Sequence, residues 1–108
     1  MRLLEYLEAS GKSPFATWFH RLDPAAAAKV TIGLSRMGQG NLSNAKGVGG
    51  GVLEHRIDFG PGYRIYFGQD GDELVILLGG GTKVRQDRDI ATAQARWLDY
   101  KRRKKERH

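Results

Sequence analysis

Charged side chains threaded through apolar, strand-like sequence are the first sign of chemistry in this chain. Glu54, Arg56 and Arg64 stand within runs otherwise built from Val, Leu, Ile, Tyr and Phe, and Lys83 follows a third such run. Strand residues seldom carry this much charge unless one face meets something anionic. Side chains alternate along a strand, which puts Glu54, Arg56 and Asp58 on one face and Leu53, His55 and Ile57 on the other. In the next run Arg64 and Tyr66 share the polar face, and Tyr63, Ile65 and Phe67 the apolar one. A guanidinium donates in a fixed fork that matches phosphate oxygens, so Arg64 and Arg56 are candidate phosphate ligands. Glu54 is a candidate general base on the same face, although a salt bridge to Arg56 or Arg64 is the commoner fate of such a carboxylate. Asp89 is either a proton acceptor or a helix cap. A second reading of the whole face is a solvated surface held by cross-strand ion pairs. Three histidines and scattered carboxylates show no metal-ligand spacing, and no cofactor is expected.

The elements that must position these residues follow from local signals. Arg2 to Glu8 reads as a first strand. Ser13-Pro14 and Asp23-Pro24 each combine an N-cap residue with proline at the first helical position, so two helices start in quick succession. Phe15, Trp18, Phe19 and Leu22 line one face of the first helix, and Val30, Leu34 and Met37 one face of the second. Gly38 to Gly51 contains six glycines and reads as a mobile connection that forms no element but brings Lys46 near the strands. Val52–Phe59, Tyr63–Gly68 and Glu73–Gly79 are expected to form three antiparallel strands, with turns at Gly60-Pro61-Gly62 and Gln69 to Asp72. Val75 to Leu78 is apolar on both faces, as in a strand covered on two sides. From Asp87 the pattern turns helical, with Ile90, Ala93, Trp97 and Tyr100 on one side. The expected fold is α+β in the order βααβββα.

A chain of 108 residues, 40% of them hydrophobic, supports one domain with one core. It contains no cysteine, which excludes disulfides and thiolate metal sites. No apolar run is long enough to span a bilayer, the N-terminus does not read as a signal peptide, and a cytoplasmic location without membrane contact is expected. The net charge of +6 is uneven, because residues 101–107 carry six basic and one acidic residue, leaving +1 on the rest. Residues 101–108 therefore form a basic tail, which reads either as a phosphate-binding segment or as a solvated, frayed terminus.

The segment from Glu54 to Phe67, with Gly60-Pro61-Gly62-Tyr63-Arg64 at its centre, and the segment Gly80-Gly81-x-Lys83-x-x-Gln86-x-x-Asp89-Ile90 together resemble the addiction-module killer proteins. These are HigB-like toxins of the RelE/ParE superfamily. Phe15, Trp18, Phe19, Gly40, Asn41 and Lys46 extend the resemblance over nearly the whole chain, read as one domain over residues 1–108. His55 departs from the pattern, which commonly has leucine there, and by alternation it reads as a buried structural histidine. The resemblance implies a toxin with an N-terminal strand and helical hairpin packed on an antiparallel sheet, neutralised by a helix-turn-helix antitoxin. It also implies a ribosome-dependent endoribonuclease that cleaves translated mRNA and so inhibits translation, or alternatively a ParE-like DNA gyrase inhibitor without nuclease activity. For the nuclease, Arg64, Lys83, Arg56 and Glu54 are the candidate catalytic residues. Lys46, Tyr66, Arg85, Gln86, Arg88, Lys101, Arg102 and Arg103 are the candidate RNA contacts.

Overall fold

The computed structural model describes residues 1–107 and shows a compact α+β domain. Its elements are β1 (Arg2–Glu5), α1 (Pro14–His20), α2 (Pro24–Gly38), β2 (Ala45–Gly49), β3 (Val52–Ile57), β4 (Tyr63–Asp70), β5 (Leu74–Thr82) and α3 (Gln86–Glu106), with a 3-10 turn over Lys83–Arg85. One mixed sheet has the order β1-β5-β4-β3-β2. Three ladders are antiparallel, while β1 runs parallel to β5 with Arg2 opposite Leu74.

Both short helices begin where their cap chemistry starts them. Ser13 Oγ accepts from the Ala16 N–H at 3.0 Å and Asp23 Oδ1 from the Ala26 N–H at 2.9 Å, with Pro14 and Pro24 at the first helical positions. Asp23→Ala is expected to lower stability by about 1 kcal/mol, measurable as a shift of the urea midpoint with an unchanged slope.

Two expectations about the sheet are corrected. The antiparallel three-strand sheet in the order βααβββα gives way to a five-stranded mixed sheet, because β1 inserts parallel beside β5 and the glycine-rich connection supplies a strand of its own. In β2, Ala45 and Lys46 pair with His55 and Glu54, and the register slips between Gly47 and Gly49. Glycine density hid this strand, since backbone pairing needs no side chain. The third strand also does not end at Gly79. It continues through Gly79, Gly80 and Gly81 to Thr82, and each glycine admits a side chain from a covering helix. A Cβ at Gly80 would collide with the Trp18 indole, one at Gly81 with the Asp89 carboxylate, and one at Gly79 would lie 2.7 Å from Arg96 Nη1. Glycine inside a strand marks close approach here rather than a terminus.

The sheet is covered on both faces. Phe15, Val30, Met37, Ile57, Ile65, Phe67, Val75 and Leu77 form the core beneath α1 and α2. Tyr6, Val52, Tyr66, Ile76, Leu78, Ala93 and Trp97 form a second core beneath α3. The face that carries Glu54, Arg64 and Tyr66 is thus no open polar surface, since α3 lies over it and all three residues are buried.

The basic tail is helical to Glu106, and several of its cations are engaged. Arg102 and Arg103 pair with Asp99, Lys104 pairs with Asp70, and Arg103 also donates to the Leu7 carbonyl. This anchors the end of α3 to the body, so the tail is not frayed over residues 101–106.

Candidate functional site

The site is built outward from Glu54, which is fully buried. Its position on β3 places it opposite Lys46 on β2 and Tyr66 on β4. Gln86, the first residue of α3, donates from Nε2 to Glu54 Oε2 at 2.9 Å. Glu54 Oε1 faces Arg64 Nε at 3.5 Å and Lys46 Nζ at 4.0 Å but accepts no hydrogen bond. These are Coulombic contacts, strengthened where water is excluded. A carboxylate that neutralises two cations and receives an amide is arranged to hold those groups in place.

Arg64 is 4% exposed and stands directly opposite Arg56 in the β3–β4 ladder. Its Nη1 donates to the Gly62 carbonyl at 3.3 Å, so the turn before β4 and Glu54 orient the guanidinium from two sides. Arg56 is exposed and makes no ion pair among the described residues. Two arginines thus face each other across the β3–β4 ladder, one fixed and one free.

A depression of about 450 Å³ lies at the end of β5, lined by Lys83, Val84, Arg85, Gln86, Asp87 and Arg88. Lys83, Arg85 and Arg88 are exposed, and Val84, 88% exposed, projects among them. Gln86 belongs both to this rim and to the buried Glu54 cluster, so it links the two. Lys46, Glu54, Arg64, Tyr66 and Gln86 are thus brought together, Lys83, Arg85 and Arg88 share the rim with Gln86, and Arg56 lines a depression with residues of α2. Lys101, Arg102 and Arg103 stand apart, being displaced along α3 by about 22 Å at 1.5 Å per residue.

Tyr66 is 1% exposed, and its hydroxyl has no hydrogen-bond partner. Burial, then the negative charge of Glu54, pushes its phenol well above the ordinary value. It is therefore a neutral phenol, walled in rather than presented for base stacking.

Asp89, read from the sequence as a proton acceptor or a cap, and Arg96, which the sequence did not single out, complete the cluster. Asp89 is not a cap, because α3 starts without a side-chain cap and Asp89 lies against Gly81, the ladder partner of Arg64. Burial raises its carboxyl, opposed by Arg85, Arg96 and Arg88. Arg96 Nη1 donates to the Leu78 carbonyl at 2.8 Å. The signal available for both was the glycine run, which permits exactly such close approaches.

His55 lies on the other face, 3% exposed beneath α2. Burial, then Arg36, holds its imidazole below the ordinary value of 6.5. Between the folded and unfolded values the unfolded chain binds more protons, so stability rises with pH. The contribution is complete above about pH 6.5 and drains as pH falls through that value toward the folded one. His55→Leu is expected to flatten this slope, read from urea midpoints between about pH 7.5 and 5.

No family model matches the chain. Over 81 residues it is 42% identical to a protein of Haemophilus influenzae described as "Uncharacterized protein", an alignment that covers 74% of this chain and 82% of that one. The chain belongs to the same family as that protein.

Proposed function

We propose that this domain is a HigB-like toxin of the RelE/ParE superfamily, part of a type II toxin–antitoxin pair, and that it cleaves translated mRNA on the ribosome. Two things support the reading: the motif resemblance described above, and the cross-strand pair Arg56 and Arg64 together with the exposed cations Lys46, Lys83, Arg85 and Arg88. The pair is the observation that carries it.

RNA brings its own nucleophile. The 2′-hydroxyl attacks the adjacent phosphorus, the P–O5′ bond breaks, and the products are a 2′,3′-cyclic phosphate and a 5′-hydroxyl. The proton lost from the 2′-oxygen goes to a base, and the departing 5′-oxygen takes one up. Protein groups need only orient the reactants, stabilise the added negative charge and move these protons. Arg64, held by Glu54 and the Gly62 carbonyl, serves the phosphorane oxygens, with Arg56 as a second ligand on the same face. In this reading Lys83, exposed at the end of β5, neutralises the leaving oxygen. Glu54 is the candidate base nearest the pair, and the cations of the rim hold the flanking phosphates. A helix-turn-helix antitoxin, the ribosome and mRNA are the partners in this reading, and the cytoplasm is its setting. No helix among the described residues is long and apolar enough to cross a membrane.

One observation favours the ParE-like alternative. Glu54 is already committed to Gln86, Arg64 and Lys46, and Tyr66 is sealed, so neither is a free base. Gyrase binding needs no base, whereas RNA cleavage would have to take one from elsewhere in the cluster, with Asp89 the remaining carboxylate. Primer extension on mRNA after brief induction in growing cells separates the two. Cuts in codon register are the expected result. Intact mRNA together with a DNA-damage response would replace the nuclease by the gyrase inhibitor.

A further inference from the structure

A second cationic depression lies on the opposite side of β3, between that strand and α2. It has a volume of about 460 Å³, and its lining includes Lys29, Arg36, Asn44, His55, Arg56 and Phe59. Lys29, Arg36 and Arg56 make no ion pair among the described residues, although Asp58 shares the lining. Three unpaired cations converge here against one acid.

The floor of the depression is His55, 97% buried by its exposure of 3%. Its Nδ1 is sealed without a partner. Its Nε2 looks toward Gly33 of α2, where a Cβ would come within 3.2 Å. Glycine inside a helix costs about 1 kcal/mol relative to alanine, and here it lets the backbone of α2 pack closely on the imidazole. The ring is neutral near pH 7, since burial and Arg36 hold its titration below the ordinary range. It therefore offers a hydrogen-bonding edge rather than another charge. Nδ1 is out of a ligand's reach, so the Nε2 edge is the part of the ring that can face the pocket.

The walls differ from the floor. Phe59 is half-buried, with Lys29 Nζ 5.4 Å from its ring centroid. Ile32, 49% exposed, and Ile57 add apolar surface. The ligand that fits has a flat, partly apolar body with hydrogen-bonding edges, and an anionic end. A nucleotide has that form: aromatic side chains stack bases, and cations hold the phosphate. The volume lies within the roughly 300–1,000 Å³ of small-ligand pockets. An acidic peptide would satisfy the cations but would leave the aromatic wall and the histidine edge unused.

Arg56 lines this pocket and also stands opposite Arg64 in the ladder. It is the point at which the two sites meet. We propose that this pocket binds one nucleotide unit of a single-stranded RNA, its base against Phe59 and His55 and its phosphate among Lys29, Arg36 and Arg56. The inference rests on the RNA reading above for the identity of the strand, but not on cleavage.

NMR titration of the folded protein with the four nucleoside 5′-monophosphates, inorganic phosphate and a short acidic peptide tests it. Saturable shifts of the His55 imidazole and Phe59 ring signals with at least one nucleotide are expected. The double variant Lys29→Glu, Arg36→Glu should weaken that binding at least tenfold, while Lys12→Glu, at an exposed residue away from the pocket, leaves it unchanged. Equal affinity for inorganic phosphate would overturn the base slot. A response to the peptide alone would overturn the RNA assignment, and no saturable response at all would overturn the site. The nuclease reading is judged separately by cleavage on ribosomes. Nucleotide binding lost with cleavage intact at wild-type level in the double variant supports neither stacking nor phosphate holding at the pocket during the reaction and overturns its part in RNA capture, whereas binding retained by a protein that never cuts RNA would overturn the nuclease alone.

Discussion

Arg64→Ala is expected to slow RNA cleavage by about 10²–10³-fold, the usual cost of removing one preorganised donor to developing charge, and with it to abolish growth inhibition. The same change strips Glu54 of its nearest cation. Breaking a buried ion pair from one side costs about 3–5 kcal/mol, and here Lys46 and Gln86 remain to offset part of that. A loss of activity in Arg64→Ala alone would therefore mix chemistry with unfolding. Arg64→Lys separates them. It keeps a positive charge beside Glu54 but loses the two-pronged donor geometry, so the thermal midpoint should stay close to that of the parent while cleavage still falls at least tenfold. Both variants should be checked by circular dichroism and by binding to the antitoxin. Cleavage at the parental rate by a folded Arg64→Ala protein would remove Arg64 from the mechanism.

The largest effect on stability is expected at Trp97. This residue is 6% exposed, stacks on Tyr100 with ring centroids 5.3 Å apart and planes within 5°, and packs against the backbone at Gly68. Trp97→Ala should cost about 3–5 kcal/mol, a large share of the roughly 5–15 kcal/mol by which domains of this kind are stable. Gly68→Ala attacks the same contact from the other side, since its Cβ would collide with the indole. If α3 and the sheet form one cooperative unit, both variants shift the urea midpoint without changing the slope. A second transition, with near-ultraviolet signal lost before far-ultraviolet signal, would show that α3 detaches on its own. That distinction matters for the site, because Gln86 and Asp89 reach the Glu54–Arg64 cluster from α3.

What could be read from the sequence depended on the range of the forces involved. The starts of α1 and α2 were legible because Ser13-Pro14 and Asp23-Pro24 act within one helical turn. The division of β3 into a Leu53, His55, Ile57 face and a Glu54, Arg56, Asp58 face followed from pleating alone. What covers each face is a long-range matter. Nothing local to Glu54 announces Gln86 as its partner, 32 residues later in the chain, and so the polar face was expected to lie open or to meet a ligand directly. The Gly79–Gly81 run reads locally as the end of a strand, yet in the fold it lets Trp18 approach from one side and Arg96 and Asp89 from the other. β2 was missed because its glycines carry no pattern of faces. The exposed rim of Lys83, Arg85 and Arg88 was the part easiest to anticipate, since charge beside a strand end needs no partner to be placed.

The parallel pairing of β1 with β5 has a consequence for how the protein is made. On the ribosome, β1 emerges first and waits for its neighbour, because Leu74 to Leu77 are synthesised after most of the chain. Contacts so distant in sequence form slowly, and at about 5–20 residues per second β1 stays unpaired for several seconds. The Glu54–Gln86 bond needs residues later still. Assembly of the Arg64 cluster is therefore deferred until nearly the whole domain has been translated, and a chain cut short before α3 would leave Glu54 and Arg64 without the helix that covers them.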